Sequence, residues 1–130
     1  MNPFHRPAWI EIDLQQLQRN FELINQDKAN RLSILAVVKD QAYGHGAYEC
    51  ANVALKNGVE MLGVVTLSEA IELREQGISA PILLFGERLE DQLELCLQHD
   101  FTIFINTPQQ AQLYVKHAGK FQKIQNLKFI

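Results

Sequence analysis

Two side chains in the stretch Leu35-Ala36-Val37-Val38-Lys39-Asp40-Gln41-Ala42-Tyr43-Gly44-His45-Gly46 have the types and spacing to do chemistry. The amine of Lys39 ends an apolar run, and the hydroxyl of Tyr43 follows within a turn of small residues. A charged amine is costly to bury, so Lys39 belongs at the exit of a buried strand, facing a cleft. Gly44 and Gly46 let the backbone turn sharply and approach a ligand closely. A helix starting after them offers its first amides as an anion site. Pyridoxal phosphate (PLP) needs an amine for a Schiff base and donors for its phosphate. Lys39 would supply the amine, and the Tyr43 hydroxyl would reach the phosphate. Spacing alone leaves a plainer alternative open: a solvated lysine ending a strand, followed by an ordinary turn.

The elements that must position these residues follow from periodicity. Residues 9–12 (Trp-Ile-Glu-Ile) alternate as a short strand. Asp13 can cap a helix whose inner face is Leu14, Leu17, Phe21 and Ile24. Buried strands are expected at 33–39, 61–65, 82–85 and 101–105, with a fifth beginning at 127–130. One helix between them runs through Ala47, Cys50, Ala51 and Ala54 and ends at Gly58. Another starts at the capping-box pair Thr66 and Glu69 and stops at Gly77. A third uses Leu89, Leu93, Cys96 and Leu97. The last is capped by Thr107 with Pro108 at its first position, buries Ala111, Tyr114, Val115 and Ala118, and ends at Gly119. Strands alternating with amphipathic helices make a parallel α/β sheet, and steps of roughly 20–27 residues fit a (β/α)-barrel repeat. The same rhythm suits an open doubly wound sheet.

Composition narrows the function classes. Hydrophobic residues make up 47% and charged residues 21%, ordinary values for a globular chain. Twelve basic against fifteen acidic residues leave a net charge of −3, which argues against a general nucleic-acid binder. No apolar run is long enough to span a bilayer. Residues 1–6 lack the apolar core of a signal peptide, so a cytoplasmic location is expected. Cys50 and Cys96 lack metal-type spacing and read as buried thiols. His5, His45, His99 and His117 are scattered, so no metal site is expected.

Val37-Val38-Lys39 followed by Ala42-Tyr43-Gly44-His45-Gly46 resembles the PLP-attachment signature of alanine racemases. Arg6-Pro7-Ala8-Trp9-Ile10-Glu11-Ile12-Asp13-Leu14 resembles that family's opening. Leu62-Gly63-Val64-Val65-Thr66, Glu69-Ala70, Leu73-Arg74 and Ala80-Pro81-Ile82-Leu83-Leu84-Phe85-Gly86 follow in the family's order. Asp40-Gln41 departs from it, since Ala then Asn or Asp usually follows the lysine. The resemblance implies the N-terminal part of a (β/α)8 TIM-type PLP-binding barrel, with roughly five of its eight β/α units. Residues 1–130 would form a partial barrel domain, without the family's C-terminal β-domain, as the front part of a larger enzyme. The implied reaction interconverts L- and D-alanine, supplying D-alanine for cell-wall peptidoglycan. Lys39 would carry PLP and move the Cα proton on one face, and Tyr43 would bind the phosphate. Two arginines and a tyrosine base from a second subunit of a homodimer are expected beyond Ile130. Competing readings are a PLP-binding barrel without catalysis, an inactive fragment, and a racemase for another amino acid such as serine.

Overall fold

Parallel strands buried on both faces read as short apolar runs separated by helices. The computed structural model describes residues 8–120. In it, β1 (Ile34–Val37), β2 (Val59–Val64), β3 (Ile82–Leu84) and β4 (Thr102–Ile103) pair in parallel, in that order. Helix α1 (Leu14–Asp27) precedes the sheet. A short turn α2 (Lys39–Gly44) and helix α3 (Ala47–Lys56) join β1 to β2. Helices α4 (Leu67–Glu75), α5 (Leu93–Gln98) and α6 (Pro108–Lys120) follow β2, β3 and β4.

Strand alternation separates the two faces of the sheet. Leu62, Val64, Ile82, Leu84 and Ile103 pack with Ala51, Ala54, Ala70, Leu73 and Tyr114 from the helices. Each fully buried Leu or Ile among them stabilises the fold by about 1.5–3 kcal/mol. On the other face, a Cβ at Gly63 would lie 2.6 Å from the Phe85 ring and 3.0 Å from Leu35. Phe85 in turn stacks on Phe104 at 5.9 Å. Arg74 ties the loops together, donating to the carbonyls of Ile78 and Ala80 at 2.7 Å and of His99 at 3.2 Å.

The expected caps form. Asp13 accepts from the Gln16 amide at 2.9 Å, and Thr107 accepts from the Gln110 amide at 3.2 Å. Thr66 and Glu69 make the reciprocal capping box. Gly58 and Gly77 take positive φ just past their helices, where a left-handed residue ends the ladder.

Several expectations are corrected. Residues 9–12 form no strand: no described strand pairs with them, and Trp9 and Ile10 are 75% and 82% exposed. Helix α1 buries no residue fully, and Ile24 is exposed. Leu89 is exposed ahead of a 3-10 turn at Glu90–Gln92, so the inner face of α5 is Leu93 and Cys96. Helix α6 passes through Gly119, since a glycine in a helix costs only about 1 kcal/mol when the chain continues helical. Val115 is exposed because the buried stripe of α6 is the narrower set Gln110, Tyr114 and Ala118. The expected fifth strand and the opening Arg6-Pro7 lie outside the described residues. The described sheet therefore holds four strands, against the eight of a closed barrel.

Candidate active site

The C-terminal ends of parallel strands form one rim, the usual seat of chemistry in barrels. β1 reaches that rim at Val37, and Lys39 follows it. The backbone then does something that periodicity did not foretell. Asp40, Gln41, Ala42 and Tyr43 all take left-handed conformations, with φ between 51° and 56°. Each such non-glycine residue costs about 1–2 kcal/mol, so the surroundings must hold the turn in place. The Ala42 amide donates to the Val38 carbonyl at 2.9 Å, and the Gly46 amide to the Gln41 carbonyl at 2.8 Å. Helix α4 supplies the rest. Glu69 accepts from the Asp40 amide at 2.6 Å, and Glu72 accepts from the Gln41 side chain at 3.3 Å.

The turn brings Lys39 and Tyr43 together. The amine lies 5.6 Å from the centroid of the Tyr43 ring. Tyr43 is 61% exposed and the Lys39 side chain 35%, so both can be reached from solvent. The Lys39 amine also sits 2.9 Å from the Asp40 carboxylate. The hydrogen bond and charge of Asp40 raise its pKa above the ordinary lysine value, against an opposing effect of burial; Tyr43 and Glu69 add to the rise.

The first turn of α3 does not offer the open anion site that its sequence suggested. Gly46 is at its N-cap with φ near +92°, and a Cβ there would lie 2.6 Å from a Glu49 carboxylate oxygen. The Ala47 amide donates to the Gln41 side chain at 3.4 Å. The helix's own carboxylate and a neighbouring amide oxygen thus stand where a phosphate would approach. His45 is turned to the backbone, its Nδ1 2.8 Å from the Ala42 carbonyl. A cavity of about 560 Å³ lies beside the site, between residues 10–13, α1, β1 and α3. Tyr43 and His45 line it and Lys39 does not, so it is not the space in front of the amine.

Comparison with known proteins decides the family. The N-terminal domain of alanine racemase matches residues 12–128. The chain belongs to the alanine racemase N-terminal domain family. An alanine racemase from Nostoc sp. is 42% identical over 112 residues, covering 85% of this chain and 29% of that protein. The solved alanine racemase of Clostridium difficile 630 superposes with a TM-score of 0.85 at 33% identity, over 92% of this chain and 33% of that one. A histidine racemase from Leuconostoc mesenteroides superposes with a TM-score of 0.79 at 26% identity, over 92% of this chain and 32% of that one. The chain spans about a third of the length of these relatives. The four-stranded sheet is part of the TIM barrel of the alanine racemase N-terminal domain.

Against this family background, two site residues stand out that sequence reasoning did not assign. Glu69 reads as a helix cap, and only its 29-residue reach to the Asp40 amide shows a second use. Asp40 is visible in sequence as a departure from the family's pattern, but its contact with the lysine depends on the left-handed turn.

Proposed function

We propose that this chain supplies the cofactor-attachment portion of a PLP-dependent alanine racemase. The observation that carries the reading is the Lys39 amine at the rim of β1, with the Tyr43 hydroxyl one left-handed turn further on. Exposure supports access of the group to both residues: the Lys39 side chain is 35% exposed, beside Asp40, and Tyr43 is 61% exposed. PLP, when bound, makes the Cα proton of an amino acid acidic by delocalising the charge left behind. Lys39 would hold the cofactor covalently through Nζ and, once released, take or return the Cα proton on its own side. Tyr43 would orient the phosphate. To take the proton the Lys39 amine must be neutral, which Asp40 works against; to return one it must be charged, which Asp40 favours. Proton abstraction is therefore favoured when the Lys39–Asp40 pair opens.

Alanine is the substrate favoured by the relatives' names, and a histidine racemase of the same fold keeps other amino acids in play. In the relatives' manner, the complete enzyme would work as a homodimer on a small-molecule substrate. Among the described residues no helix is long and apolar enough to cross a membrane. The chain incubated with PLP should develop an absorption band at the visible edge, and Lys39→Ala should lose it. An unchanged band in the variant would remove Lys39 from the attachment role.

A further inference from the structure

We propose that Glu69 is a positioning residue for Lys39, clamping the left-handed turn from helix α4. The inference rests on the attachment reading for its purpose, but the clamp itself stands on geometry. One Glu69 oxygen accepts from the Asp40 amide at 2.6 Å, next in the chain to Lys39. The other accepts from the Thr66 amide at 2.8 Å, the Thr66 hydroxyl at 2.9 Å and the Val65 amide at 3.1 Å. A single carboxylate thus joins the exit of β1 to the exit of β2, on the rim where the amine stands. A capping box needs only the bonds to Thr66. The bond to Asp40 adds nothing to the helix and instead fixes the first residue of four in a costly conformation.

The chemistry of the clamp calls for a carboxylate. All four contacts are donors, and they use both oxygens. A glutamine has one acceptor oxygen, and its amino group would confront N–H donors on the other side. Burial works to raise the carboxyl's pKa, but the amides of Thr66, Asp40 and Val65 and the Thr66 hydroxyl outweigh it and hold Glu69 below the usual glutamate range. The clamp is therefore fully charged at neutral pH. Glu72 supports it from the next turn of α4 through Gln41, with longer bonds of 3.3 and 3.4 Å.

Two variants of the full chain separate a clamp from a simple cap. Thr66→Ala removes the hydroxyl from the box but leaves the link from Glu69 to Asp40. Glu69→Gln disturbs both. Amide hydrogen exchange read residue by residue, without cofactor, should speed at Asp40 and Ala42 by about tenfold or more in Glu69→Gln, the scale of losing a charge-assisted bond. In Thr66→Ala the same amides should stay within about twofold of the parent while the first turn of α4 frays. Equal loosening in both variants, or none in Glu69→Gln, would overturn the proposal. A second readout is borohydride trapping with PLP, scored as label on Lys39 relative to the other lysines. That ratio should fall in Glu69→Gln and hold in Thr66→Ala; an unchanged ratio in Glu69→Gln would also overturn it. If the parent chain itself carries no label on Lys39, the attachment reading fails, and the exchange result still decides the clamp.

Discussion

Asp40 faces Lys39 across 2.9 Å, and that pair sets how readily the amine can act. A nucleophilic amine must be unprotonated, and an ordinary lysine near pKa 10.4 is mostly charged at neutral pH. Asp40 first, then Tyr43 and Glu69, hold Lys39 above that value. Asparagine tolerates the left-handed backbone, so Asp40→Asn removes the charge without forcing the turn. Because a raised lysine pKa keeps the protonated form to higher pH, its loss should move the onset of Schiff-base formation with PLP to lower pH. Rates of reductive trapping across a pH series measure this; a midpoint that stays put or rises would contradict the assigned role of Asp40. The sequence pointed to Lys39 and Tyr43 because a lysine after an apolar run and a tyrosine among glycines are local signals. The Asp40 contact was not legible, because it exists only if the chain turns left-handed after Lys39.

At the scale of elements, the same division holds. Asp13, Thr66 with Glu69, and Thr107 with Pro108 announce their helices through local hydrogen-bonding chemistry, and each starts where expected. The left-handed turn of α2 is held in part by contacts 29 and 31 residues away, with Glu69 and Glu72, which no window along the chain contains. Gly63 is a similar case. It reads as one small residue in a strand, yet its missing side chain is the space filled by Phe85 and Leu35. The Phe85 ring is stacked on Phe104, which limits how far it can swing away. Gly63→Ala should therefore destabilise the fold by about 1–3 kcal/mol, the cost of overpacking a tight core. Urea unfolding followed by circular dichroism would register it as a lower midpoint; an unchanged midpoint would mean that the face opposite the helices is loosely packed.

For the whole molecule, the β/α rhythm was legible in the order and spacing of its runs, and the parallel sheet β1-β2-β3-β4 follows it. Periodicity alone left a barrel and an open sheet undecided; the resemblance to alanine racemases chose the barrel, and the solved relatives bear that out. Four strands leave β1 and β4 with one neighbour each among the described strands. The chain spans about a third of its relatives' length, and its four described strands make half of an eight-stranded rim, the half that carries the proposed attachment lysine. Residues 1–130 alone should show no measurable conversion of L-alanine to D-alanine in a coupled oxidase assay, and sustained turnover would contradict this. The most direct test of the central claim is to trap PLP on the chain with borohydride and map the labelled peptide by mass spectrometry. The label is predicted on Lys39, in the segment that runs on to Tyr43. A label confined to other lysines, with Lys39 unmodified, would contradict the account.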